Sequence, residues 1–125
     1  MINPEQAQEL ARAWVEAFNR HDLDAMLSHY ADDVEFSSPA VIDVLREPSG
    51  TIRGKQALRG YFQQALEKYP DLGFELLDIL TGVDSVTILY RSVHRGRAGA
   101  EVMVLDPQGK VVKVIVHYEA IPEAT

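Results

Sequence analysis

Glu101 is the residue whose type and setting point most directly to chemistry. It carries the one charge in the stretch Ala100-Glu101-Val102-Met103-Val104-Leu105. A carboxyl group enclosed by apolar side chains favours its neutral form, which raises its pKa and suits it to general acid or base work. The ordinary alternative is a strand of period two that shows every second residue to water, Glu101 among them. Tyr90, Ser92 and His94 share a face with Val86 and Ile88 in the preceding apolar segment. A phenol and an imidazole beside that carboxyl group would complete an acid/base set; the competing reading keeps Tyr90 in the core and His94 at an exposed strand end. His117 and Tyr118 close the last apolar run. A regular type I turn with a bulge at Gly109 sets Glu101 opposite Ile115 and brings His117 to the carboxyl's face. Glu101, Tyr90 and His117 are therefore the candidate catalytic residues.

Other chemistries lack their residues. The chain has no cysteine, which removes disulfides, thiolate catalysis and every cysteine-held zinc or iron–sulfur site. His21, His29, His94 and His117 give no pair at metal-ligand spacing on one helix, so neither a metal nor another cofactor is expected. Asp32-Asp33 and Asp22-Leu23-Asp24 read as turn and capping residues, with paired-carboxylate chemistry as the sharper alternative. The stretch from Arg53 to Arg59 lacks the glycine pattern and the Ser/Thr of a phosphate loop. Lys plus Arg number 12 against 19 Asp plus Glu, a formal charge of −7, and no basic run offsets it, so nucleic acid is not an expected partner. No uncharged apolar run approaches the roughly 18 residues of a membrane span. The opening MINPEQAQEL has neither a basic start nor an apolar core. The expectation is a cytoplasmic protein without a membrane partner.

The elements that must position these groups are readable from periodicity. The 125 residues fit one domain, 1–125. Asn3 can cap a helix whose first turn holds Pro4 and Glu5, and Ala7, Leu10, Ala11, Trp14, Ala17 and Phe18 form its apolar stripe. Asp22 caps a second helix reaching Tyr30, with Asp32-Asp33 closing it before a short strand, Val34-Glu35-Phe36. Residues 40–53 have no clean period and contain Pro48, Ser49 and Gly50, which predicts a loop. A third helix runs from about Lys55 to Tyr69. Four strands follow, over residues 74–80, 86–94, 100–105 and 111–119. The fold class is α+β: a cone-shaped fold with three N-terminal helices packed on a strongly curved, mostly antiparallel sheet, in the order helix-helix-strand-helix and then a four-strand meander. Such a cone either fills with side chains or keeps a pocket for a small apolar molecule. Val102, Val104, Val112, Val114 and Val116 are expected on one face of the last strands, and with them a homodimer through the sheet.

Three segments, FNRHDLDAMLSHYADDVEFSSP, IRGKQALRGYF and GKVVKVIVHYEAI, together resemble the SnoaL-like branch of the nuclear transport factor 2-like superfamily, relatives of ketosteroid isomerase and polyketide cyclases. The resemblance spans nearly the whole chain in the same order. It implies the cone fold, dimerisation through the sheet and a cavity beside Glu101 lined by Val114, Val116 and Tyr118. That lining disagrees with the simple turn count above unless a further bulge intervenes. Set against ketosteroid isomerase, the resemblance places Trp14 where that enzyme has an oxyanion-donating tyrosine and Ser38 where it has its aspartate base. Glu101 falls where it has a second, protonated aspartate. Ser38 cannot serve as a base at neutral pH, so ketosteroid isomerase activity is not expected. Trp14, Phe18, Phe36, Ser38, Phe62, Met103 and Tyr118 are the expected pocket residues. The implied function is small-molecule binding, with cofactor-free isomerase, cyclase, dehydratase or epoxide hydrolase chemistry. The alternative is a non-catalytic ligand-binding or dimerisation module.

Overall fold

The computed structural model describes residues 1–122. Helix α1, Pro4–Asn19, starts where Asn3 accepts a hydrogen bond from the Glu5 backbone N–H at 2.8 Å. Helix α2, Leu23–Leu27, starts where Asp22 accepts one from Ala25 at 3.2 Å. Strand β1, Tyr30–Ser37, leads into helix α3, Pro39–Leu45, then β2, Thr51–Arg53, and α4, Lys55–Lys68. The meander follows as β3, Phe74–Thr81; β4, Ser85–Ser92; β5, Arg97–Leu105; and β6, Val111–Tyr118. The six strands form one mixed sheet in the order β2-β1-β6-β5-β4-β3, parallel only between β1 and β6. This is an α+β cone, its inner face covered by helices.

Two stretches differ from the sequence reading. Residues 40–53 are not one loop but hold a helix and a short strand, so that the helices among the described residues number four and not three. Ser38 caps α3, its hydroxyl accepting from the Ala40 N–H at 3.1 Å, and Pro39 supplies the first helical turn. Arg46, at φ 57°, ends the helix in the left-handed region. A seven-residue helix holds too few turns to display a period, and the three residues of β2 owe their form to pairing with β1. The second difference is that α2 stops at Leu27 and Tyr30 opens β1. Asp32 and Asp33 therefore lie in that strand, exposed, and cap no helix.

The core lies between the helices and the sheet. Trp14, 1% exposed, stacks on Phe74 at 5.1 Å between ring centroids and donates its indole N–H to the Tyr30 hydroxyl at 3.0 Å. The end of α1 is tied to the start of β3: the Asn19 side chain donates to the Phe74 carbonyl at 2.9 Å and accepts from its N–H at 2.7 Å.

The register of the last hairpin decides which residues face inward. Asp106 opposes Lys110 and Leu105 pairs with Val111, but Val104 pairs with Lys113, so Val112 is an extra residue in β6. That bulge exchanges the faces of everything beyond it. Glu101 pairs with Val116 and not with Ile115. Val114 and Val116 are consequently buried on the inner face, while Val102, Val104 and Val112 stay on the outer face with exposed Ile115. The five valines do not share one face, as the sequence had suggested.

Trp14→Ala should cost about 3–5 kcal/mol, since it opens a cavity and strips the Tyr30 hydroxyl of its donor; chemical denaturation measures this, and a loss below about 1 kcal/mol would contradict the packing. For the outer face we propose a second copy of the chain as occupant. Sedimentation at low micromolar concentration should then give twice the monomer mass, and Val102→Lys should return it to monomer; a wild-type monomer would refute the proposal.

Candidate active site

The site is built around Glu101. On the inner side of β5, Gly99, Glu101, Met103 and Leu105 alternate as buried positions, and Glu101 is 5% exposed between Ile88 of β4 and Val116 of β6. The Tyr90 hydroxyl donates to Glu101 Oε1 at 3.0 Å. Among the described residues Oε2 has no partner and is buried. Tyr90 reaches this position because its strand partner is Gly99: a Cβ there would stand 2.8 Å from the phenol ring. A glycine inside a strand commonly marks such a close approach.

Charge is disfavoured throughout this cluster. Burial pushes the Glu101 carboxyl up to about 8, the Tyr90 hydrogen bond opposing it only in part. Burial and then the Glu101 charge raise both Tyr90 and Tyr118. Tyr61 is raised well above the phenol range by burial, then by Tyr118 and Glu101. The phenols are thus hydroxyl donors at neutral pH, and Glu101 is mostly a carboxylic acid whose ionised form is close at hand.

A cavity of about 40 Å³ opens over this floor, room for roughly three waters. Phe18, Phe36, Tyr61 and Phe62 supply its apolar walls, with Ser38 and Tyr118 alongside Glu101. Its mouth lies between the end of α4 and the β4–β5 turn, where Tyr69, His94 and Arg95 line it. The Arg95 guanidinium sits 5.1 Å from the ring centroids of both Tyr69 and Tyr118. His94 packs on Tyr69 at 4.9 Å, its Nδ1 3.3 Å from the Ser92 hydroxyl. Burial, then the Arg95 charge, lowers the His94 pKa. Among the described residues no group of three or more His, Asp or Glu is placed to hold a metal ion.

The structure brings Glu101, Tyr90, Phe18, Phe36, Ser38, Phe62 and Tyr118 to the site and leaves three expected members out. His117 pairs with Ala100 on the outer face and is exposed, because the Val112 bulge turns Tyr118 inward instead. Trp14 lies behind the cavity, its N–H already given to Tyr30. Met103 is fully buried but does not line the cavity. Ser38, besides lining the wall, accepts the α3 cap bond with its hydroxyl oxygen and keeps its O–H to donate. Tyr61 on α4, Tyr69 at its C-cap and Arg95 in the β4–β5 turn also line the cavity and are not among the pocket residues expected from the sequence. The one available signal for Tyr90 over β5 was Gly99, a lone glycine in an apolar strand.

The family model for SnoaL-like domains matches residues 11–120. A SnoaL-like protein of unknown function from Burkholderia thailandensis is similar at 47% identity, over 95% of this chain and 98% of that one, with a TM-score of 0.89. A candidate isomerase of the SnoaL-like family from Agrobacterium tumefaciens is similar in fold at 17% identity, over 93% and 99% of the two chains, TM-score 0.74. TerC, co-crystallised with polyporic acid, is similar at 16% identity, over 91% and 92%, TM-score 0.73. No curated protein matches the sequence significantly.

The Glu101 carboxyl makes stability depend on pH with a definite sign. It loses its proton near 4.5 in an ordinary setting and near 8 in the fold. Between those values the folded state binds more protons than the unfolded one, so stability is full below the lower value and falls as pH rises toward the upper. At about 1.4 kcal/mol per pKa unit the fall reaches roughly 5 kcal/mol at most. Subtracting the unfolding free energies of Glu101→Gln from those of wild type across pH 4 to 9 isolates it. A difference that stays flat would show that Glu101 ionises freely in the fold.

Proposed function

The chain belongs to the SnoaL-like domain family, and from the carboxyl group buried at the floor of its cone we propose that it is a cofactor-free proton-transfer enzyme, an isomerase acting on a small carbonyl compound. The observation that carries this reading is the unpartnered Glu101 Oε2 beside a cavity that Glu101 itself lines. A buried carboxyl oxygen without a partner is costly unless a molecule in the cavity, water or ligand, supplies one.

The chemistry follows from the pairing. Ionised Glu101 takes a proton from the carbon next to a carbonyl, and the electrons of that C–H bond move onto the carbonyl oxygen. The Tyr61 and Tyr118 hydroxyls, held protonated by burial, are the donors available to the developing oxyanion. The carboxylic acid so formed returns the same proton to another carbon of the conjugated system, and the enzyme ends as it began. A carboxyl group whose pKa lies near the working pH serves both halves of this exchange. Tyr90 holds Oε1 and so orients the group.

A second reading, a ligand-binding module without turnover, draws on the small cavity and on Glu101 being the one carboxyl residue among those lining it. Deuterium uptake separates the two. In D2O, wild-type protein should accelerate exchange next to the carbonyl in a panel of short ketones and enones followed by NMR, the rate rising through a midpoint near pH 8. Glu101→Gln should lower it by about 100-fold or more. Binding without exchange supports the module, and exchange indifferent to Glu101→Gln overturns the mechanism.

A further inference from the structure

Arg95 is the one cation among the described residues lining the cavity. Its side chain is 20% exposed, yet among the described residues none of its five N–H donors makes a hydrogen bond. The nearest acidic oxygen, Asp43 Oδ2, lies 3.7 Å away, beyond hydrogen-bond reach. Asp43 is itself engaged: it accepts from the Tyr69 hydroxyl at 2.6 Å and pairs with Lys68 at 3.2 Å. The guanidinium nitrogens are therefore half-buried but still reached by solvent, and apart from the long ion pair with Asp43 they are free to take an acceptor. The two tyrosine rings that flank it at 5.1 Å hold the cation in place by cation–π attraction.

We propose that Arg95 is the anion anchor of this cavity and that the ligand is a small carboxylate, its charged end paired with the guanidinium at the mouth and its short carbonyl-bearing chain directed into the cavity toward Glu101. The proposal rests on the cavity being a ligand site. Arg95 and Glu101 line the same space, so one short molecule spans both. The volume of about 40 Å³ suits a chain of a few carbon atoms. A planar guanidinium fork matches a carboxylate in two parallel hydrogen bonds. Glu101, protonated at neutral pH, adds no repulsion. The overall charge of −7 opposes the approach of an anion, but salt screens it beyond about 8 Å, leaving the guanidinium to dominate at contact.

Crotonate and crotonamide have the same shape and differ in charge, which makes them the probes. Titrated by NMR into the full chain, crotonate should bind at least 10-fold tighter than crotonamide and should shift the Arg95 Nε–H resonance. Arg95→Gln should erase the preference while leaving crotonamide affinity within about 2-fold, and Arg95→Lys should restore part of it. Should both variants fail to fold, the wild-type Nε–H shift decides by itself. Equal affinity for the two probes, a preference that survives Arg95→Gln, or no binding by any monocarboxylate from acetate to hexanoate at millimolar concentration would overturn the anchor. Crotonate binding that depends on Arg95 and persists in Glu101→Gln supports the anchor even where deuterium exchange fails, so the two readings fail separately.

Discussion

A carboxyl group can be buried in a small apolar core only if it gives up its charge or finds partners for it. Glu101 does the first and half of the second: one oxygen receives the Tyr90 hydroxyl and the other receives nothing. Much of the inner face is arranged to sustain that state. Gly99 leaves room for the Tyr90 ring to cross β5. Trp14 and Tyr30 pair with each other, so that neither is drawn to the carboxyl. The Val112 bulge turns Val116 and Tyr118 toward it in place of Ile115 and His117. Removing any of these would change what the free oxygen faces, which is the sense in which the fold is organised around one unpaired atom.

Floor and mouth of the cavity solve different problems. The floor is neutral and hydroxyl-rich, a setting in which a proton can move without creating a large charge in low dielectric. The mouth holds the charges, with Arg95, Lys68 and Asp43 tied to Tyr69 at the junction of α3, α4 and the β4–β5 turn. Helix α3 is what brings Asp43 there, and it forms because Ser38 caps it.

The long elements were legible because their cause is local. The stripe from Ala7 to Phe18, the caps at Asn3 and Asp22, and the Asp106–Gly109 turn each depend on neighbours a few residues away, and the structure has them. The short ones show no period: α3 has too few turns to display one although its cap is local, and β2 depends on pairing with β1. Glu101 could be picked out by its solitary charge, but its direction could not, since a single extra residue at Val112 inverts the hairpin and nothing in a run of valines marks where that residue falls. His117 was misplaced for this reason. Arg95 escaped notice because a turn arginine looks solvated until Tyr69 and Tyr118, both remote in sequence, are seen to close on it.

The central claim is that Glu101 is an acid at neutral pH. Carbon-13 NMR of the glutamate side-chain carboxyl groups, with Glu101 assigned by comparison with Glu101→Gln, reads its titration directly. The account predicts a midpoint near 8, well separated from the exposed glutamates. A midpoint at the ordinary value of about 4.5 would mean that the group is ionised and solvated, and would contradict it.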